Sequence, residues 1–350
     1  MYRRCMKCMK TFRIPRASEN ENCICPHCGF AEGMPPSNLN LLFPGVMLRD
    51  RYEIGADSYS AGIGNWYLSW DHQEKRMVRI LELFPCGMAI RLPGTTEVTV
   101  PDEKKNSFNA FSERFNMESN EFLNLERCDS IVQVTDLFHE NNTYYRVKEC
   151  YECVPFSTVL RERKALAYEQ AAEIVCSVCE ALTVLHRNGI LHCDIDPHNI
   201  YITQNPGKVV VEVVDCGTAF HYVRRDAASE RPVVCSPDYA PPEQYTCRTN
   251  ELGPWVDTYA VAALFFQMLT GVRPDESSDR MMGKDSVEEE LNRVQTIPQD
   301  MKNVILMGME LDYKKRFQTA ESFRDAVLGK IKIEKKRNVL GRLSWKCHTI

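Results

Sequence analysis

Two Cys-x-x-Cys pairs near the start of the chain restrict its local fold more strongly than any other feature. Cys5 and Cys8 form the first pair and Cys25 and Cys28 the second, with sixteen residues between them. Both pairs can direct two thiolates at one ion, and Gly29 permits the tight turn after the second pair. About thirty residues cannot bury a core of their own, so bound metal would stabilise them. We therefore predict that residues 1–32 form a ribbon around a structural Zn²⁺ ion.

Other cysteines leave alternatives open. Cys23 lies two residues before the second pair and could compete as a ligand, but it breaks the spacing and is interpreted as a spare thiol. Two redox-active pairs are a weaker interpretation of the same residues. The spacing recurs at Cys150/Cys153 and at Cys176/Cys179. The latter pair falls in residues 169–187, whose apolar residues have helical spacing, which favours packing over a second metal site.

Length and composition describe a folded globular chain rather than a disordered one. Its 350 residues are 44% hydrophobic and 26% charged, which fits one large or two unequal domains. The net charge of −5 gives no overall electrostatic reason to bind nucleic acid or an anionic membrane. The predicted ribbon is basic, but few aromatic residues interleave with its cations, so a nucleic-acid partner is not expected.

The compartment is inferred from hydropathy and from the thiols. No apolar run approaches the ~20 residues that span a bilayer, and the start lacks the apolar stretch of a secretory signal. The most apolar window, Tyr259–Leu269, is too short and contains Gln267. Sixteen cysteines, most of them single within apolar segments, are typical of a reducing compartment. We therefore expect a cytoplasmic protein without a transmembrane segment.

Turn formers in residues 33–38 predict a linker, placed at 33–47, between the ribbon and the rest of the chain. Short β-like runs follow first, at Trp66–Trp70, Met77–Leu83, Ile131–Phe138 and Tyr144–Lys148. Longer helical patterns come next, with a strand-like interruption at 208–214. This order predicts an α+β protein with a small β-rich lobe before a larger helical lobe. Residues 330–350 are basic and are expected to form a tail or a solvated helix end; a membrane-surface or nucleic-acid role is less favoured.

Candidate catalytic residues lie in two short segments. The first reads His192-Cys193-Asp194-Ile195-Asp196-Pro197-His198-Asn199-Ile200, and the second reads Val213-Val214-Asp215-Cys216-Gly217. Here the chain resembles the protein-kinase family, whose catalytic loop reads His-Arg-Asp with an Asn five residues later and whose metal loop reads Asp-Phe-Gly. The resemblance implies that Asp194 is the catalytic base, that Asn199 binds Mg²⁺ and that Asp215 is the main Mg²⁺ ligand.

Further motifs match in the same order. Tyr239-Ala240-Pro241-Pro242-Glu243 resembles the end of the activation segment, and Arg316 resembles the late arginine that pairs with Glu243. The resemblance covers residues 48–329 and implies a bilobal protein-kinase-like fold that uses ATP and Mg²⁺. With the ribbon in front, the chain looks like bacterial zinc-ribbon serine/threonine kinases. Its partner would then be a protein substrate or a protein docked on the ribbon, and a homodimer is compatible with the sequence.

The nucleotide-binding motifs depart from the family pattern. The glycine-rich loop should read Gly-x-Gly-x-x-Gly, because side chains there block the approach of backbone N–H groups to phosphates. The three positions hold Tyr59, Ala61 and Gly64, so only Gly64 remains in register. The third strand should carry a lysine that holds the α- and β-phosphates, and that position is Leu81.

Two cations could compensate for the missing lysine. Arg79 lies two residues before Leu81 and faces the same side of the strand, so it would fill the base pocket, reach the phosphates or extend to solvent. Lys148 lies in the strand that leads into the interlobe hinge. A buried ammonium needs a partner, and Glu118 occupies the place of the family's helix glutamate. We therefore predict a Lys148–Glu118 pair.

Changes in the second lobe also weaken the case for activity. Cys193 replaces the arginine that grips a phosphorylated activation segment, and Cys216 replaces the family's phenylalanine. Asp196 stands where many members carry a phosphate-binding lysine, while Ser236 keeps the hydroxyl of the family threonine. The favoured prediction is a pseudokinase with a regulatory or scaffolding role. The alternative is an active, noncanonical serine/threonine kinase in which Lys148 or Arg79 replaces the strand lysine.

Overall fold

The computed structural model describes residues 2–14, 23–31, 33–36, 38–203, 209–211, 220–221, 236–245, 251–337 and 343–349. The chain divides into two compact units. Unit 1 comprises Met1–Asn124 and Gln133–Tyr151, and unit 2 comprises Leu125–Val132 and Glu152–Ile350. No helix among these residues is long and apolar enough to span a bilayer.

Unit 1 is built on a six-stranded antiparallel sheet with the strand order β3-β4-β5-β6-β10-β9. Its elements are β1 (Tyr2–Arg4), β2 (Thr11–Arg13), β3 (Met47–Leu48), β4 (Tyr52–Ala61), β5 (Gly64–Asp71), β6 (Arg76–Leu83), β7 (Ile90–Arg91), β8 (Val98–Thr99), α1 (Lys105–Leu123), β9 (Val134–Glu140) and β10 (Thr143–Glu149). The four predicted strand runs all fall on strands of this sheet, with the third one beginning three residues early. Alternating side chains give each strand two distinct faces, which the structure uses differently.

One sheet face carries the apolar core of unit 1. Tyr67, Ile80 and Val147 come from three adjacent strands and are fully buried there. Leu41 and Leu42, which the sequence placed in the linker, are 1% exposed and pack into the same core. The end of the predicted linker is therefore part of the lobe, because its apolar side chains cover the sheet.

A buried carboxylate lies on this same face at Glu82. The hydroxyls of Tyr67 and Tyr145 each donate to it at 2.8 Å, the Asn65 amide donates at 2.9 Å, and Arg91 forms an ion pair with it. Burial and the Glu82 charge raise the pKa of both phenols, which keeps them protonated as donors. Four partners from three other strands thus hold β6 in place.

Unit 2 is mainly helical. Its helices are α2 (Phe156–Arg163), α3 (Tyr168–Arg187), α4 (Pro242–Tyr245), α5 (Trp255–Thr270), α6 (Ser277–Met281), α7 (Val287–Arg293), α8 (Gln299–Gly308) and α9 (Ala320–Val327). Its strands are β11 (Cys153–Pro155), β12 (Ile190–Leu191), β13 (Ile200–Thr203), β14 (Val209–Val211), β15 (Phe220–His221), β16 (Ile331–Arg337) and β17 (Leu343–Thr349). Helix α5 is buried on nearly all sides and forms the centre of this unit.

The basic end of the chain differs from the prediction. Residues 331–337 and 343–349 form two antiparallel strands, β16 and β17, rather than a solvated tail or helix end. Ile333 is 1% exposed, and its carbonyl accepts a hydrogen bond from Asn303 of α8 at 3.1 Å. The Trp345 indole donates to Glu310 at 2.7 Å. Alternation of Ile331 and Ile333 with charged residues has the two-residue period of a strand, which the high density of lysines obscured.

Candidate functional site

The four predicted metal ligands converge. Their Sγ atoms all lie within 4.8 Å of one another. The Cys5–Cys28 and Cys8–Cys25 sulfur distances are 3.6 and 3.7 Å. Zn–S bonds of about 2.3 Å in a tetrahedron place sulfurs about 3.8 Å apart, so the spacing of these thiols is compatible with a structural zinc ion. Cys23 is not part of this group.

Both cysteine turns have the same backbone pattern. In the first, the Lys7 amide donates to Cys5 Sγ at 3.4 Å, and in the second the His27 amide donates to Cys25 Sγ at 3.4 Å. Burial opposes ionisation, but amides of the turn lower the pKa of Cys25 to about 7. Residue Met9 has φ 56° where Gly29 of the other turn has φ 70°. The first turn therefore places a non-glycine residue in the left-handed region.

This ribbon is joined to the sheet through a bulge in β4. Pairing of β4 with β5 is interrupted between Ile54 and Ser58. Within the bulge, the Ala56 amide donates to the Met6 carbonyl at 2.6 Å. A Cβ on Gly55 would lie 2.6 Å from that same carbonyl oxygen, so only glycine allows this approach. The bulge thus turns a strand amide toward the first cysteine turn.

Leu81 of β6, which the sequence analysis aligned with the family's lysine, is fully buried. In the sheet register it lies opposite Trp66 of β5 and Arg146 of β10. Arg146 is also fully buried, donates from Nε to Ser119 Oγ of α1 at 2.8 Å, and lies 4.6 Å from the ring centroid of Phe115. Sequence reasoning missed Arg146, although the alternation of β10 places it on the same face as Lys148.

The predicted replacement cations lie side by side. Arg79 and Lys148 are directly opposite each other in the β6–β10 register. Lys148 is 2% exposed, and its Nζ lies 4.9 Å from the ring centroid of Trp66. Glu118 is 5% exposed and accepts from Arg114 Nε at 2.8 Å. The burial that the Lys148–Glu118 hypothesis requires is present, and the pair itself stays a prediction.

The structure gives a reason for glycine at position 64 that the sequence analysis did not identify. A Cβ at this position would lie 1.9 Å from the Glu82 carbonyl oxygen, inside the β5–β6 pairing. The turn before it is made by Gly62, with φ 61°. Strand packing therefore requires glycine at position 64 whether or not a phosphate approaches it.

Asp194 and Asn199 come together in the catalytic-loop segment of unit 2. Asn199 Nδ2 donates to the carbonyl of Asp194 at 2.9 Å and to its Oδ2 at 2.8 Å. Ser236 Oγ donates to Asp194 Oδ1 at 3.2 Å. Burial and the nearby Asp196 charge raise the pKa of Asp194, which these two hydrogen bonds only partly offset. A carboxylate with a raised pKa and a fixed orientation is suited to accept a proton.

Asp196 stabilises the loop itself. Its Oδ1 accepts the amides of His198 at 2.7 Å and Asn199 at 3.1 Å, and Ser236 also donates its hydroxyl toward Asp196 Oδ2. Position 196 therefore places a carboxylate beside Asp194, where many family members have an ammonium. Ser236 Oγ lies within hydrogen-bond distance of both carboxylates, which share its one proton.

Asp257 of α5, which is fully buried, holds the start of the catalytic-loop segment in place. Its carboxylate accepts the amides of His192 at 2.9 Å and Cys193 at 2.8 Å, and His186 Nε2 lies 2.8 Å away. Burial alone would raise the pKa of Asp257, but these partners hold it below its usual range. Cys193 has φ 62°, a strained conformation that the two amide hydrogen bonds help to maintain.

The predicted Glu243–Arg316 pair is confirmed. Both side chains are buried, and the two guanidinium–carboxylate contacts measure 2.6 and 2.9 Å. Arg316 also donates to the carbonyls of Trp255 and Leu311 at 3.2 and 3.1 Å. This pair fixes α4 to the helical core.

The predicted metal-loop residues Asp215, Cys216 and Gly217 lie outside the described residues. Their roles, including magnesium binding by Asp215 with Asn199, stay predictions. Within unit 2, the structure brings together Asp194, Asn199 and Ser236.

Comparisons agree with this geometry. A family model described as "Protein kinase domain" matches residues 98–328, starting after β6. A probable serine/threonine-protein kinase from Clostridium perfringens is 31% identical over 68% of this chain and 34% of its own length. Serine/threonine-protein kinase PrkC from Bacillus subtilis is 29% identical over 61% of this chain and 33% of its own. The chain thus spans about a third of the length of these curated relatives.

Solved structures show the same fold. The apo form of PpkA-294 superimposes with a TM-score of 0.65 at 22% identity, covering 82% of this chain and 99% of that one. The family match, the order of the motifs and the geometry of the loop around Asp194 all indicate a protein kinase domain. The chain therefore belongs to the protein kinase family, and its curated relatives are bacterial serine/threonine kinases.

Proposed function

We propose that this protein is a pseudokinase, a kinase-fold regulatory or scaffolding protein with impaired ATP binding or phosphoryl transfer. The observation that carries the proposal is Leu81. It is fully buried opposite Trp66 and Arg146, at the β6 position where the family holds the α- and β-phosphates with lysine. An isobutyl group cannot bind phosphate.

Electrostatics at the transferred group support the same proposal. Removing one well-placed charge contact typically lowers a rate by about 10²–10³. Asp196 further places a carboxylate next to Asp194, which would repel a phosphoryl group. The family match that begins at residue 98 leaves out β4–β6, the strands that carry the changes in the glycine-rich loop and at the lysine position.

An active serine/threonine kinase is the second candidate function, and it is supported by the hydrogen bonds that orient the Asp194 side chain. Asn199 and Ser236 orient its carboxylate as a base for a protein Ser or Thr hydroxyl. In this alternative, Lys148 or Arg79 holds the phosphates of ATP in place of the missing lysine. ATP would supply the γ-phosphoryl group, and Asn199 with Asp215 would hold its Mg²⁺ ions.

The ribbon is proposed to hold one structural Zn²⁺ ion on Cys5, Cys8, Cys25 and Cys28, because the sulfur spacing fits the ion. Its proposed role is to dock a protein partner. Metal content of the purified full chain, measured with and without Cys25→Ser and Cys28→Ser, tests the ligand set. We retain the cytoplasm as the proposed compartment, since sixteen cysteines, most of them single within apolar segments, are typical of a reducing compartment.

Thermal unfolding of the full chain with millimolar ATP and Mg²⁺ tests the choice between the two candidates. Ligand at a hundred times its dissociation constant stabilises by about 2.7 kcal/mol, which moves the midpoint by several degrees. We expect little or no shift, and no autophosphorylation that depends on Asp194. A magnesium-dependent shift together with phosphorylation that is lost in Asp194→Asn and Lys148→Met would overturn the pseudokinase proposal.

A further inference from the structure

A cavity of about 720 Å³ lies within unit 2, beside the catalytic loop. Its walls are α2, residues 196–198, residues 236–239 and the end of α5 with the residues that follow it. Pockets that bind ligands commonly measure about 300–1,000 Å³, so this cavity has room for several side chains. Asp196 and Ser236 of the site described above line this cavity, and the remaining lining residues have no role so far.

The cavity is connected to the candidate base through one side chain. Ser236 lines it and donates to Asp194 Oδ1 at 3.2 Å. The Ser157 amide of α2 donates to the Pro197 carbonyl at 2.8 Å, which ties the wall formed by α2 to the catalytic loop. A chain segment with a hydroxyl residue at Asp194 would therefore place its neighbouring residues in the cavity, since an extended chain advances about 3.3–3.6 Å per residue.

Cations dominate the accessible part of the lining. Arg161 of α2 and Lys164, which directly follows the helix, are both exposed and both line the cavity. Among the residues that the structure describes, neither of them is in an ion pair. Arg273 contributes a third cation, whose side chain is 72% exposed and lies 3.3 Å from Asp238 Oδ2. His198 adds an exposed imidazole.

The acids of the lining only partly offset this charge. Asp196 is buried, and its carboxylate accepts two loop amides and lies against the Ser236 hydroxyl. Asp238 is paired with Arg273. The described lining therefore has one more cation than acid, and its exposed positive charges outside that pair are Arg161 and Lys164.

We propose that this cavity binds the acidic residues of a protein segment whose Ser or Thr lies at Asp194, so that the chain selects acidic segments. The proposal rests on the proposed function only for the identity of the hydroxyl site. It applies equally to a bound, unmodified partner and to a substrate. Because the cations are exposed, attraction operates over about a Debye length, and binding weakens as salt rises.

Fluorescence anisotropy with the full chain tests the proposal directly. Three labelled twelve-residue peptides carry one central Ser, flanked by Glu, by Gln or by Lys. We expect the Glu peptide to bind about tenfold more tightly than the Gln peptide at low salt, with the difference shrinking at high salt. Arg161→Glu combined with Lys164→Glu should remove this preference. Arg163→Glu is the matched control, because Arg163 is exposed on the same helix but does not line the cavity.

The outcomes separate this proposal from the proposed function. No binding of the Glu peptide, equal binding of the Glu and Gln peptides, or equal losses in the double variant and the control would each overturn it. Circular dichroism of the variants verifies that they fold. Binding requires no nucleotide, so absent phosphoryl transfer leaves the result valid; conversely, phosphorylation without preference for acidic peptides would refute the cavity's role and leave kinase activity standing.

Discussion

Replacing Gly55 with alanine tests how the metal ribbon is joined to the sheet. The new Cβ would lie 2.3 Å from Met9 Cε, 2.4 Å from the Leu68 carbonyl oxygen and 2.6 Å from the Met6 carbonyl oxygen. The Met9 methyl group can rotate away. The two carbonyls belong to the backbone of β5 and of the metal-binding turn, so one of those elements must move.

The magnitude follows from three contributions. Overpacking costs about 1–3 kcal/mol. Separating the Ala56 amide from the Met6 carbonyl, now 2.6 Å apart, costs about 0.5–1.5 kcal/mol. Alanine lowers the entropy of the unfolded chain, which returns about 0.4–1 kcal/mol. We therefore expect a net destabilisation of about 2 kcal/mol, or a midpoint lower by about 4–8 °C for a unit of this size.

Hydrogen exchange measured by mass spectrometry locates the effect on zinc-loaded, reduced full chain. In Gly55→Ala, peptides from residues 2–14 and 52–61 should exchange faster, whereas peptides from α5 should be unchanged. Gly62→Ala is the control, since nothing lies within 4 Å of a Cβ there and its φ of 61° confines the strain to the turn. Unchanged exchange at residues 2–14 in Gly55→Ala, with a midpoint within 1 °C of wild type, would refute the proposed connection.

Three further predictions concern the lobes. Gly64→Ala should destabilise unit 1 by about 1–3 kcal/mol because its Cβ would meet the Glu82 carbonyl oxygen at 1.9 Å; an unchanged thermal midpoint would contradict this. Asp257→Asn should cost about 3 kcal/mol at pH 7. Since the pKa of Asp257 is lowered on folding, its stabilisation is present above the unfolded value of about 4 and is lost as pH falls through the folded value. Denaturant titrations should thus show the variant and wild type converging below about pH 4, and a constant difference would argue against the charge. Arg316→Met should cost about 3–5 kcal/mol by removing the guanidinium from the buried Glu243 carboxylate; adding Glu243→Leu should recover part of this loss in the same titrations.

Local spacing explains what sequence analysis could predict. The ligand set of the ribbon depends on two turns of four residues, and Asp194 with Asn199 lies within a single loop, so short-range geometry brings these groups together. The Glu243–Arg316 contact spans many residues and was predictable only through resemblance to the family.

Contacts set by sheet register were not predictable in the same way. Arg146 lies opposite Leu81 because β10 pairs with β6 in one particular register, and a shift of β10 by one residue would turn Arg146 to the other face of the sheet. The Glu82 cluster likewise needs strands and loops that are distant in the chain. The terminal strands β16 and β17 were missed because their many charged residues obscured the alternation of apolar side chains.

The amino-acid sequence alone thus determined the family, the order of the lobes and the chemical identity of the metal-ligand and catalytic-loop groups, because these depend on residue type and short spacing. Only the tertiary structure decided how far each group is paired, buried or strained. It placed a leucine and two cations on one sheet face, a carboxylate beside Asp194, and a basic cavity next to both acids. These arrangements arise from packing between distant segments, where burial and register fix the neighbours of each charge.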